Sequence, residues 1–212
     1  FLLRLGVGLA VTAALVIWEM RIPHPLLQFR LFYNRRFAAS AMVAFAYGLG
    51  LYGSTYLLPL YVQTVLHYDA GLSGLLLLHG GLAMALSITA AGRLLDRFAA
   101  YSLIVVGLLC FAVSFLLIGS GVVVHSFAVL AVLVALGRIG LGMTIPSLNL
   151  GALQLVESPQ LAQASGTLNF IRQLGGAIGV NVLTIFFSWL DAGGREHGLD
   201  TAAAMGKAFS VC

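Results

Sequence analysis

The chain has 212 residues, of which 60% are hydrophobic and 8% are charged, and its mean hydropathy is +1.02. A soluble domain carries about 25% charged residues, so these few charges cannot cover a water-exposed surface and we expect lipid to surround most of the chain. The net charge is +4, but the 11 Lys and Arg residues are dispersed between apolar runs, which excludes a basic nucleic-acid-binding patch.

Six apolar stretches of near-spanning or greater length follow one another, since about 20 residues are needed to cross a bilayer. They are residues 1–18, 37–65, 70–91, 101–123, 127–153 and 161–190. The sequence therefore predicts an all-α, polytopic membrane helix bundle of about six transmembrane helices. Such a protein resides in the cell membrane as a multi-pass protein.

The loops between these stretches differ in their basic residues. The first loop (19–36) and the third (92–100) hold all the arginines between stretches, whereas the second (67–69) and the fourth (124–126) hold none. The arginines are Arg21, Arg30, Arg35, Arg36, Arg93 and Arg97. Because cytoplasmic loops collect Lys and Arg, we expect the odd loops to be cytoplasmic. Both chain ends would then be external, which predicts a chain truncated at both ends, with the apolar run 201–212 beginning a further helix.

The second stretch carries an aromatic stripe at helical spacing, formed by Phe45, Tyr52, Tyr56 and Gln63. Pro59 interrupts the stripe and predicts a helix kink with a freed carbonyl. Aromatic faces with few charges suit lipophilic cations. Packing, or a position at the membrane interface, explains the tyrosines equally well, so both interpretations stay open.

The third stretch contains His79 and the sequence Gly71-Leu72-Ser73-Gly74, which spells the G-x-S-G of rhomboid-type serine proteases. A nucleophilic serine needs a base within hydrogen-bond reach. His79 is too close along the same helix, and the other downstream histidines fall in expected external segments. An intramembrane protease is therefore a lesser alternative, and we expect no enzyme; His79 is best explained as a packing residue.

The fifth and sixth stretches each hold an arginine at membrane depth, where ionisable groups usually face a bundle interior or a cavity. Arg138 shares a helical face with Asn149, and Arg172 lies beside Asn169. We expect the Arg138 face to turn away from lipid, and Arg172 with Asn169 to reach the cytoplasmic half of a cavity. Alternatively, the arginines satisfy backbone carbonyls in a packed bundle. Pro146 predicts a second kink.

Other polar signals are few. No Asp or Glu lies in the middle of a stretch, so a proton-carrying acid is expected outside this chain. Cys110 and Cys212 cannot build a metal or redox pair, and we expect no metal and no cofactor. The glycines of the last two stretches predict close helix packing; they are Gly137, Gly140, Gly142, Gly175, Gly176 and Gly179.

The third loop resembles the G-x-x-x-D-R loop of the major facilitator superfamily. The residues that match are Gly92, Arg93, Asp96 and Arg97, and the resemblance implies a cytoplasmic gating loop in which Gly92 allows a tight turn. The chain departs from the family after Arg97, where Phe98-Ala99-Ala100 replaces the usual glycine and basic residues.

Three further segments resemble the fourteen-helix drug:proton antiporter branch of that superfamily, which exports multiple drugs and quaternary ammonium compounds. They are the run from Glu19 through His24-Pro25-Leu26-Leu27 to Leu31-Phe32-Tyr33-Asn34-Arg35-Arg36-Phe37, the segment Leu58-Pro59-Leu60-Tyr61-Val62-Gln63, and Ala164-Ser165-Gly166 with Asn169 and Arg172-Gln173-Leu174-Gly175-Gly176-Ala177-Ile178-Gly179. Their order is that of the carboxy-terminal half of such a transporter.

The resemblance implies a partial major facilitator fold. Residues 1–36 would be the end of a linker helix and a cytoplasmic loop, 37–190 five helices of the carboxy-terminal bundle, and 191–212 an external loop and the start of a truncated last helix. It also implies proton-driven efflux of an amphiphilic or cationic small molecule by alternating access. In that fold the first and fourth helices of the bundle line the substrate cavity, which would be lined here by Tyr52, Tyr56, Gln63, Arg138 and Asn149, together with Asn169 and Arg172. The partners would be substrate, protons, the lipid bilayer and a missing amino-terminal bundle. The remaining alternative is a non-transporting membrane scaffold or assembly subunit.

Overall fold

The computed structural model describes residues 14, 17–18, 29–120 and 126–196, and the side chains of residues 14, 17–18, 31–120 and 126–185. This part contains five long α-helices: α1 (Arg35–Thr64), α2 (Ala70–Leu94), α3 (Ala100–Gly119), α4 (Phe127–Leu153) and α5 (Leu161–Glu196). Short 3-10 helices occupy Phe29–Tyr33 and Ser158–Gln160, and the described residues contain no strand. The predicted all-α fold is confirmed. Most of the first apolar stretch and the run 201–212 lie outside the described residues.

The helices begin where polar caps satisfy their first backbone N–H groups. The side chain of Asn34 accepts a hydrogen bond from the backbone N–H of Arg36 at 3.0 Å, which starts α1 at Arg35 instead of residue 37. Asp69 caps α2 in the same way through Gly71, also at 3.0 Å. At the other end of α1, His67 adopts a left-handed backbone with φ 55°, and the chain turns there.

Four of the helices, α1 to α4, are long and apolar enough to cross a membrane. The fifth, α5, has 36 residues and carries more polar side chains. It continues to Glu196, so residues 191–196 are helical where an external loop is expected, because no Pro or charge run interrupts the helix before that point.

The helices pack in two sets. Helix α5 packs along α1, whereas α2 and α3 both pack against α4. Glycines allow these contacts: a side chain at Gly48 would strike the backbone carbonyl of Arg172, and one at Gly175 would strike that of Phe45. Gly107 of α3 and Gly140 of α4 meet backbone to backbone in the same manner. The predicted role of the Gly140 and Gly175 positions in close packing is thereby confirmed.

Buried serines add hydrogen bonds between α4 and its two neighbours. The hydroxyl of Ser87 on α2 donates to the carbonyl of Ile139 at 2.7 Å. The hydroxyl of Ser114 on α3 donates to the carbonyl of Leu133. Because lipid offers no competing water, such bonds help to fix the helices relative to one another.

The apolar core is divided into two clusters, one toward each end of the bundle. The first joins Phe37 and Ala44 of α1 to Leu148 of α4 and Leu168 of α5. The second cluster joins the end of α1 and the beginning of α4 to residues of α2 and α3. Its members are Leu58, Tyr61, Val62, Leu76, Ile118, Leu130, Leu133 and Val134. Polar side chains lie in the layer between the two clusters.

Candidate functional site

Three polar side chains share one depth in this middle layer. Tyr47, Arg138 and Arg172 lie about 17 to 22 Å from the ends at which α1 and α5 begin and α4 ends, given a rise of 1.5 Å per residue. The hydrocarbon core of a bilayer is about 30 Å thick. These groups therefore lie near its middle, where polar side chains are costly and usually functional.

Arg138 is 7% exposed, and its guanidinium donates a hydrogen bond to the hydroxyl of Thr55 on α1 at 2.9 Å. The same hydroxyl donates to the carbonyl of Leu51 at 2.7 Å, so one of its lone pairs is left to accept from the arginine. The aliphatic stem of Arg138 passes Gly80 of α2, where an added side chain would lie 3.1 Å from its Cγ. Arg138 thus connects the two helix sets through a polar contact.

Tyr47 on α1 is fully buried, and its hydroxyl has no hydrogen-bond partner among the described residues. This hydroxyl lies within electrostatic range of both Arg138 and Arg172. An unpartnered buried hydroxyl is costly in a membrane, so this atom requires an explanation. Sequence reasoning missed Tyr47, although a tyrosine two residues from the aromatic stripe and at mid-membrane depth was a usable signal.

Arg172 is half-buried on α5 and donates to the side chain of Asn169 one turn earlier. The structure therefore brings two of the seven expected cavity residues into direct contact. Neither Arg138 nor Arg172 is paired with a carboxylate in the described part of the chain. Three carboxylate side chains are described, those of Asp69, Asp96 and Glu157, and all three lie in the connections between helices; Asp191 and Glu196 belong to the far end of α5.

The aromatic stripe of α1 divides into two parts. Its first part packs on α5, where Phe45 meets Gly175 and the ring of Tyr52 covers Gly176. Tyr52 nevertheless remains 43% exposed and Tyr56 39% exposed. Thr55 lies between the two tyrosines in sequence and is itself exposed, so the tip of Arg138 reaches the same face.

Two expected cavity residues lie apart from this group. Asn149 is half-buried about 16 Å from Arg138 along α4, and Gln63 is exposed about 12 Å beyond Thr55 along α1. Both Pro59 and Pro146 lie inside helices. Because proline lacks an N–H, Pro59 leaves the carbonyl of Thr55 without its helical partner. The missed residue Thr55 could have been suspected as a polar side chain in mid-span.

The expected gating loop is divided between the end of α2 and the turn that follows it. Gly92 and Arg93 belong to the last turn of α2, which continues to Leu94, and the turn itself is made by residues 95–98. A side chain at Gly92 would meet nothing within 4 Å. Gly92 therefore does not make the tight turn, since the helix ends beyond it with hydrogen bonds from Leu95 to Ala91 and from Phe98 to Leu94. Asp96 and Arg97 are exposed in the turn.

The protease alternative finds no support in the geometry of α2. Ser73 is 3% exposed and its hydroxyl points to the carbonyl of Asp69 at 3.4 Å. The ring of His79 is exposed and bonds the carbonyl of Leu75 at 2.7 Å. Each side chain is thus engaged with its own helix backbone, and a serine–histidine pair is not formed between them.

A cavity of about 630 Å³ lies elsewhere, between α1, α3 and α5. Apolar side chains dominate its lining, which includes Leu57, Phe111, Phe115 and Leu183. None of the seven expected cavity residues borders it. The polar layer and this apolar cavity are therefore separate features of the bundle.

Comparison with known proteins identifies relatives of this chain over most of its length. A family model described as Major Facilitator Superfamily matches residues 4–180. The chain is 32% identical over 185 residues to a multidrug resistance protein B homolog of Mycobacterium tuberculosis, covering 86% of this chain and 34% of that protein. It is 29% identical over 195 residues to the multidrug export protein EmrB of Haemophilus influenzae, covering 90% and 37%.

A lincomycin resistance protein LmrB of Listeria monocytogenes is 25% identical over 197 residues, covering 92% of this chain and 41% of that protein. The chain thus spans between 34% and 41% of the length of these three curated relatives. All three names describe resistance to, or export of, small molecules.

Proposed function

Because the chain belongs to the Major Facilitator Superfamily, whose members are multi-pass membrane transporters and not enzymes, we propose that it forms part of a proton-coupled efflux transporter. Its cargo would be amphiphilic drugs or lipophilic cations, moved by alternating access. The observation that supports this proposal most is the polar layer around Arg138 at mid-membrane depth, next to the exposed face of Tyr52 and Tyr56.

The relatives support the cargo class. The Mycobacterium and Haemophilus proteins are named for multidrug resistance and multidrug export. A site bordered by the exposed aromatic rings of Tyr52 and Tyr56 places few constraints on the shape of the cargo, which suits a range of amphiphiles. The expected cavity residues Gln63, Asn149 and Asn169 remain part of this proposal, as do Pro59 and Pro146 as points of bending.

In this proposal, cargo binding and proton transfer belong to different parts of the protein. No acid lies at mid-membrane depth in the described helices, so proton uptake and release would belong to a carboxylate outside them. The described bundle would supply one wall of the cargo path, and the expected amino-terminal bundle would supply the opposite wall. Relative rocking of the two would expose the path to each side in turn.

The test is transport by the complete open reading frame, purified and reconstituted in proteoliposomes with an imposed proton gradient. We expect movement of a fluorescent lipophilic cation such as ethidium that stops when an uncoupler collapses the gradient. Residues 1–212 reconstituted alone should give no flux, because a single wall cannot close a path. Proton-driven flux by residues 1–212 alone, or none by the complete protein, would contradict the proposal.

A further inference from the structure

We propose that Arg138 and Tyr47 form a binding site for a carboxylate in the middle of the bundle. The polar layer between the two apolar clusters contains more hydrogen-bond donors than acceptors to receive them. A guanidinium has five N–H donors and keeps its positive charge in proteins. Among the described residues, Arg138 uses one of these donors, toward Thr55.

Tyr47 adds a second open donor. Its hydroxyl is fully buried and unpartnered in the described part of the chain, and it lies within electrostatic range of Arg138 and Arg172. A guanidinium has no acceptor, so the hydroxyl of Tyr47 cannot donate to either arginine, and its proton is left for an anion. The three side chains together create a site that offers donors and positive charge.

The chemistry of this site favours a carboxylate. A guanidinium is a planar fork that binds the two oxygens of a carboxylate side by side, and a hydroxyl can donate a further bond to one of them. A buried positive charge without a counter-charge is costly at this depth. The acids with described side chains lie in the helix connections, and Asp191 and Glu196 lie about 28 Å or more beyond Arg172 along α5. The counter-charge therefore has to come from outside the described residues.

The site has a route to an exposed face. Thr55, which holds the tip of Arg138, is exposed between Tyr52 and Tyr56, and both tyrosines are more than a third exposed. A molecule with an aromatic ring and a carboxylate can therefore place its ring against the tyrosines and its carboxylate toward Arg138. A cation without an acid group would meet an uncompensated guanidinium at the same place.

Two sources can supply the carboxylate. It belongs either to the cargo, or to an Asp or Glu side chain of the protein outside the described residues. The first source narrows the cargo of the proposed function to acidic amphiphiles, and this part of the inference rests on that function. The second source neutralises Arg138 and leaves the tyrosine face free for lipophilic cations.

A binding experiment separates these sources. The complete protein in lipid nanodiscs is titrated with 2-naphthoate and, as the neutral isostere, with 2-naphthamide. If the cargo supplies the carboxylate, Arg138→Gln and Tyr47→Phe each weaken naphthoate binding about tenfold or more, and the affinity for naphthamide stays unchanged. The matched controls are Arg36→Gln and Tyr101→Phe, which alter an exposed arginine and an exposed tyrosine.

If the protein supplies the carboxylate, naphthoate binding is insensitive to both variants, and Arg138→Gln instead lowers Tm by leaving an acid unpaired. A second change, Asp→Asn or Glu→Gln at that acid, then restores Tm, which a double-mutant cycle detects. Insensitive naphthoate binding without any coupled acid overturns the proposal. The readouts of this experiment are affinity and Tm, not transport. A negative result here therefore does not contradict the efflux proposal, and an absence of flux does not contradict the carboxylate site.

Discussion

At the residue scale, the contact between Arg138 and Thr55 shows how a charged side chain is accommodated in an apolar bundle. The stem of the arginine lies along Gly80, and its tip reaches a hydroxyl that is already hydrogen-bonded to its own helix. A long side chain can therefore cross from α4 to α1 while burying its methylene groups among apolar neighbours. The polar end then lies at the tyrosine face.

We expect Thr55→Val to lower the free energy of unfolding by about 1 to 2 kcal/mol, because the arginine loses its acceptor while the side-chain volume is kept. Thr89→Val is the matched control. The hydroxyl of Thr89 also bonds the carbonyl four residues earlier, at 3.2 Å, but it is exposed and meets no arginine. The free energy of unfolding of both variants is measured by titrating the protein in mild detergent with a denaturing detergent. An equal loss of stability in the two variants would argue against the contact between Arg138 and Thr55.

Residues of this kind were only partly predictable. Arg138 and Arg172 could be selected from sequence because a charge in an apolar run is unusual. Tyr47 and Thr55 could not be assigned to them, since their relation depends on how α1 packs against α4 and α5. Periodicity places a residue on one helix face, but the choice of neighbour for that face is set by tertiary packing.

At the element scale, α1 and α5 pack closely because glycines occupy their contact positions. Gly48 faces the backbone of Arg172, and Gly175 faces that of Phe45. The two helices therefore touch along their main chains, where dispersion contacts are densest. Any added methyl group has to push backbone, which is harder to displace than a flexible side chain.

Gly175→Ala should destabilise the bundle by about 1 to 3 kcal/mol, because the new Cβ would lie 2.9 Å from the carbonyl carbon of Phe45. The control is Gly74→Ala on α2, where an added Cβ meets nothing within 4 Å. There we expect no loss, or a gain of up to about 1 kcal/mol from helix propensity. Thermal melts in nanodiscs compare the pair, and similar values for both would refute the packing argument.

The helices themselves were well predicted, since hydropathy and length reflect the demands of the bilayer. Differences occur at their ends. Asn34 caps α1 two residues before the apolar stretch begins, and α5 continues to Glu196 beyond it. A cap depends on local hydrogen bonds, which an average over hydropathy does not register. The helix pairs α1 with α5, and α2 and α3 with α4, were likewise not predictable from single stretches.

At the scale of the whole molecule, orientation in the membrane remains a prediction of the basic residues in the loops. The turn after α2 carries Arg97, and the connection before α4 includes Ser126. The arginine-bearing turn is expected to face the cytoplasm. The residues Ala99 and Ser126 form a useful pair, because each is the N-cap of its helix and neither makes a side-chain cap bond.

We expect Ser126→Cys to react with a membrane-impermeant maleimide on intact cells, and Ala99→Cys to react only after the cells are permeabilised. Both positions are exposed. The background for each is a protein in which Cys110 and Cys212 are replaced by Ala. Labelling of Ala99→Cys in intact cells would reverse the assigned orientation.

The division of the core into two apolar clusters with a polar layer between them has an electrical consequence. Each cluster is a dry stretch of low dielectric, in which a small ion would lose its hydration without compensation. The positive charge of Arg138 between them would add to this barrier for a small inorganic cation. The two clusters would therefore act as barriers to small ions on either side of the polar layer, and the membrane voltage would fall mainly across them.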